Sequence, residues 1–189
     1  MNTTSFLSLI GAGALAVTAW LTVGDSGEKT HKLTTISPRK LADSLHAVIA
    51  ADREVYARMM AERQIAGAGS PEQSLPVHAQ MLRRAGTAIQ QRGAEFSYTL
   101  RSLWPINENQ GPQTAVEKLG LERVAQDPGT NYYTEETLGG RSYFTAIYPD
   151  RATLPSCVDC HNQHPSSPRR DFQLHDVMGA IVVRVPLEF

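Results

Sequence analysis

The stretch Cys157-Val158-Asp159-Cys160-His161 has chemistry written into its spacing. Two thiols three residues apart, followed at once by an imidazole, form the attachment signature of a c-type haem. The reason is geometric. Both thiols must reach the vinyl edges of one porphyrin ring, and the next residue must swing beneath it so that its imidazole meets the iron. Iron held this way is tuned by the opposite ligand, by burial and by nearby hydrogen bonds. The chain has two cysteines, and both lie in this motif, so no disulfide framework competes for them. Three other uses of the same atoms are open to the residues. Cys157, Cys160, His161 and His164 could hold zinc, although zinc sites usually draw ligand pairs from two separate places. A redox dithiol would want a βαβ setting, which the pattern lacks. A plain disulfide is the third.

The opposite axial position has several candidates. Met59 sits on an apolar stripe of a long predicted helix and is the first choice, with His161 as the proximal ligand. Met60 is its neighbour, and His46 lies on the same helix. Met178 is a further candidate. His78, His164 and His175 read as exposed or loop residues. With no protein ligand there, the site would be open to a small gas. Arg141, Arg151, Arg169 and Arg170 flank the motif, and a guanidinium suits a propionate carboxylate; Arg141 is the arginine chosen as cofactor-binding. No acid/base pair for turnover is visible, so an enzyme such as a small peroxidase is not expected.

These residues need elements to position them. Residues 6–23 carry no charge and, as a helix, would extend about 27 Å, near a bilayer's hydrocarbon thickness. Residues 1–24 therefore read as a signal peptide or an uncleaved membrane anchor. Either one carries the rest of the chain outside the cytoplasm, which predicts a periplasmic protein. Residues 25–36 read as a linker, and residues 37–189 as the folded domain. Ser37 and Pro38 make a helix start. Apolar residues from Leu41 to Met60 recur at helical steps, and Gly67 and Gly69 end the run. Ser70 and Gln73 suggest a capping box, Pro76 a second helix start, and Gly93 its stop. Phe96, Tyr98 and Leu100 alternate as a strand does. Thr114 to Glu117 is a second capping box, opening a short helix. Residues 143–148 and 180–185 read as strands, the latter central. Between them, Pro155, Pro165 and Pro168 bound a predicted haem-binding loop. Helices first and strands later predict an α+β domain: an antiparallel sheet with long N-terminal helices at one side. The net charge of −1 gives no footprint for nucleic acid.

Several stretches together resemble a bacterial family of c-type haem domains with a PAS-like fold. They are 51–56 (Ala-Asp-Arg-Glu-Val-Tyr), 102–107 (Ser-Leu-Trp-Pro-Ile-Asn), 143–150, 157–162, and 171–186. The resemblance spans roughly residues 38 to 187. It implies one covalently attached haem c and a role in sensing or single-electron transfer, as in periplasmic sensor modules and stand-alone haem proteins. It also implies a cysteine on the long helix as second axial ligand, which this chain lacks. No output domain follows the last strand, so the expectation is a stand-alone member that signals to, or exchanges electrons with, a separate protein. An accessory subunit of a membrane electron-transfer complex is the alternative.

Overall fold

The computed structural model describes residues 36–65 and 78–188. The segment 6–23, nearly all of the linker, Gly67, Gly69, the Ser70–Gln73 box and Pro76 lie outside them. Among the described residues no helix is long and apolar enough to cross a membrane. The anchor expectation therefore rests on residues 6–23 alone.

Helix α1 runs from Pro38 to Ile65, with Ser37 Oγ accepting from the Lys40 N–H at 3.2 Å. Helix α2 spans His78–Gln91, and Gly93 follows with a positive φ. Strand β1 is Ser97–Arg101, helix α3 Ala115–Gln126, strand β2 Tyr132–Leu138 and strand β3 Arg141–Arg151. Helix α4, Pro155–Gln163, and strand β4, Val177–Pro186, complete the fold. The four strands form one antiparallel sheet in the order β1-β4-β3-β2. The α+β expectation is met, and the run at 180–185 is indeed central.

Burial on both faces explains the composition of β4. Ile181, Val183 and Val185 pack with Ala42 and Ile49 of α1 and Leu82 of α2. Ala180 and Val182 face the other way, with Leu121 and Val124 of α3. Successive side chains on a strand point to opposite faces, so one strand joins two cores. Long helices lie at one side as expected, and α3 covers the side opposite. Gly120 lets α3 close onto the sheet, because a Cβ there would collide with the Ile147 side chain.

Two further differences from expectation have simple causes. The 132–138 strand is mixed in polarity and sits at the sheet edge, so its sequence carries no clean alternation. Glu117 is only half of a capping box. Thr114 Oγ1 accepts from its N–H at 3.0 Å, but the carboxylate turns inward. It accepts from the Gln113 N–H at 2.6 Å and from Arg184 at 2.9 Å, and it pairs with Arg101 at 3.2 Å. Arg184 also donates to Glu136 at 2.7 Å, and so does the Thr145 hydroxyl. This network crosses all four strands on the α3 face.

Glu117 is fully buried, so its replacement by Ala takes one of two carboxylate partners from Arg184 and the carboxylate partner of Arg101. Removing one partner of a buried pair costs about 3–5 kcal/mol. Urea unfolding of Glu117→Ala should show a loss of that order. A loss below about 1 kcal/mol would mean that the arginines find other partners or water.

Candidate functional site

The motif at 157–161 does not lie in a loop. It occupies α4, whose N-cap is Leu154 and whose first residue is Pro155. Proline belongs there, because its ring pre-sets the helical φ and the missing N–H would be unpaired anyway. Steps of three and four residues bring Cys157, Cys160 and His161 onto one helix face. Cys157 is buried, Cys160 is exposed, and both are free thiols.

That face forms one wall of a cavity of about 670 Å³. Cofactor and ligand clefts typically measure about 300–1,000 Å³. The other walls come from α1, the start of α2, the end of β1 with the residues after it, and the start of β4. All five stretches that carry the family resemblance meet here. Arg53 comes from the first, Ser102 and Trp104 from the second, Asp150 from the third, His161 from the fourth, and Met178 from the last. Ser102 ties two of them together: its Oγ donates to the Met178 carbonyl at 2.6 Å and accepts from the Trp104 N–H at 2.9 Å. Gly179 permits this approach, since a Cβ there would sit 2.6 Å from the Arg101 carbonyl.

His161 is held by packing. Its ring meets Phe172 edge-on, with centroids 5.7 Å apart, and Phe172 meets Trp104 the same way. Asn162 grips the Phe172 backbone twice, donating to its carbonyl at 2.9 Å and accepting from its N–H at 3.0 Å. Its Nδ1 is buried and has no hydrogen-bond partner among the described residues. Burial, His164 and Arg53 lower the His161 pKa, so the ring is neutral at pH 7 with a lone pair to offer. Two thiols and a neutral imidazole on one face of a cofactor-sized cavity fit a thioether-linked haem. For zinc the fit is poor, as no group of three or more His, Cys, Asp or Glu among the described residues is arranged to hold a metal ion.

Met59, expected as the second ligand, is not among the residues that line the cavity. It is 60% exposed and points away from the cavity, in line with exposed Val48 and Val55. Met60 lines the cavity instead. The buried stripe of α1 runs through Ala42, Ile49, Arg53 and Ala57. Its small residues let the helix approach the sheet and carry little hydrophobic signal. Arg141, expected at the cofactor, is not among the cavity-lining residues either. It pairs with Glu95 at 2.9 Å and lies outside the cavity wall. Arg151 donates to the Pro128 carbonyl, and Arg170 to that of Pro165. Arg169 pairs with Asp171 and Asp176 and lies over the Trp104 and Phe172 rings. None of these four arginines lines the cavity; Arg53, Arg83 and Arg101 do.

The histidines sort differently from expectation. His46 lies flat on Tyr148, centroids 3.9 Å apart and planes 5° from parallel, away from the cavity wall. His175 is exposed, with a positive φ. His164 caps α4, and its Nδ1 accepts from the Ser166 N–H at 3.1 Å while the residue lines the cavity. His78 lines it too, with Nε2 3.4 Å from an Arg53 nitrogen. Arg53 pairs with Asp150 at 2.9 Å, and both side chains are nearly buried. Burial raises the Asp150 pKa, and Arg53 pulls against that. A charged residue inside an apolar helix stripe was the available sign of Arg53. His78 follows an uninformative stretch and carried none.

Burial, the Arg53 cation and His161 hold the His78 pKa down to about 4, from an ordinary 6.5. Below pH 6.5 the unfolded chain takes up a proton that the folded one refuses, so stability falls as the pH drops toward 4. At 1.36 kcal/mol per unit the loss is on the order of 3 kcal/mol. Denaturant midpoints at pH 7.5 and 4.5 should show a larger loss for the wild type than for His78→Gln. Equal losses would contradict the buried neutral imidazole.

Among curated proteins, none matches the chain. Among solved structures, the chain is similar to one described as the crystal structure of the cyanobacterial heme-protein Tll0287. Identity is 19% and the TM-score 0.49, over 80% of this chain and 98% of that one. The sequence profile of the Tll0287-like family matches residues 31–186, most of the chain and all of the elements described above. The chain is a member of the Tll0287-like family.

Proposed function

We propose that this protein binds one haem c through thioethers at Cys157 and Cys160, with His161 as the proximal iron ligand. One observation carries the reading: a single face of α4 presents both thiols and a neutral imidazole to a cavity large enough for a cofactor. Family membership supports it, since the family takes its name from Tll0287, itself described as a heme-protein. When bound, the haem supplies reversible one-electron chemistry or a site for a small ligand. The chain's own residues bind and orient it. Phe172 and Trp104 fix the plane of the proximal imidazole, and α1 closes the opposite side. Met60 is the methionine that we assign to the second axial position. The role is single-electron transfer or sensing of redox state or a small ligand, in a PAS-like domain with no substrate turnover of its own. The place is the periplasm, with residues 6–23 as leader or anchor. An accessory-subunit role draws support from the exposed apolar residues Val48, Val55 and Met59 on α1, which suit contact with a partner.

The decisive experiment is expression in cells that mature c-type cytochromes, followed by denaturation. The pigment should stay with the chain and should be lost from Cys157→Ser/Cys160→Ser. Pigment that washes away, or stoichiometric zinc in its place, would overturn the reading.

The axial assignment has its own test. Met60→Ala should convert a six-coordinate spectrum to one that shifts at once with CO, while Met59→Ala should leave the spectrum unchanged. The reverse pattern would return the ligand to Met59.

A further inference from the structure

Arg53 is 7% exposed, yet it lines the cavity. Its guanidinium is oriented from two sides. One terminal nitrogen donates to Asp150 at 2.9 Å and lies 3.4 Å from His78 Nε2, which can act only as acceptor toward an arginine. Its Nε–H, also buried, has no acceptor among the described residues. A buried donor left unmade is costly, and more so on a charged group. Such a group normally has a partner, and a guanidinium fork is shaped to match a carboxylate or similar oxyanion. Asp150 and His78 both act as acceptors here, so they hold the fork in place without filling it.

We propose that Arg53, clamped by Asp150 and His78, is an oxyanion-binding site on the α1 wall of the cavity. The inference rests on the haem reading, which offers two sources for the same chemistry. One is a carboxylate of the haem itself, and the other is a small diffusible oxyanion that enters beside it. Arg53 then takes the anchoring role that the flanking arginines 141, 151, 169 and 170 do not fill.

The test uses the holoprotein, wild type and Arg53→Lys. Lysine keeps the charge beside Asp150 but lacks the fork. A second variant, Arg53→Leu/Asp150→Leu, removes both members of the pair and leaves no lone buried charge. In one arm, ferric protein is titrated with formate and followed by the Soret band. A saturable shift in the wild type, weakened about tenfold or more in both variants, assigns the site to a diffusible anion. In the other arm, resonance Raman spectra report hydrogen bonding to the haem carboxylates. A propionate band that moves in both variants, without formate binding in the wild type, assigns the site to the haem's own carboxylate. If the pigment is retained through denaturation but neither arm distinguishes the variants from the wild type, the site is overturned and the haem reading stands. Pigment lost on denaturation overturns both.

Discussion

Strand β4 has no solvent face, and that constraint organises the molecule. Every residue from Val177 to Pro186 is buried. A strand in this position needs apolar residues on both sides and a neighbour along each edge, because each unpaired buried backbone group is costly. β1 and β3 supply the edges, α1 with α2 covers one face, and α3 covers the other. The exception within the strand is Arg184, and it is neutralised by Glu117 and Glu136. The same strand begins inside the cavity at Met178 and Gly179, so the scaffold and the site share one element.

The cavity is a wall of segments far apart in the chain. Its apolar side includes Trp104, Leu154 and Met178, which pack with Cys157 and Phe172. Its polar side carries Arg53, Asp150 and His78, drawn from α1, β3 and α2. Removing charges from water is expensive unless they are paired with good geometry. A buried ion pair is thus weak evidence of extra stability and better evidence that something at this place requires it. The neutral state of His78 and His161 follows from the same low-dielectric surroundings, since burial disfavours the charged imidazole.

The differences between expectation and structure share one physical origin. Met59 and Met60 are adjacent, about 100° apart around a helix, and only packing decides which one faces inward. Val48, Val55 and Met59 repeat at helical spacing as convincingly as the stripe that is buried. What turns α1 is the sheet beneath it, which accepts Ala42 where a larger side chain would hold the helix away. Pro155 is similar. Beside two more prolines it reads as a loop boundary, yet after an extended residue it is a good first helical position. Arginines near the motif in sequence proved remote from the cavity in space, while Arg53, more than a hundred positions away, lies on its wall.

The amino-acid sequence by itself determined the motif and its spacing, the two helix starts, three of the strands and the central place of the last one. All are local: a cap, a period or a ligand spacing is set within a few residues. It also placed the five stretches that meet around the cavity, though not the fact that they meet. Only the tertiary structure decided which face of α1 is buried, that the motif is helical, and which histidine and arginine join it. Those outcomes depend on packing between segments distant in the chain, where no single stretch carries the signal.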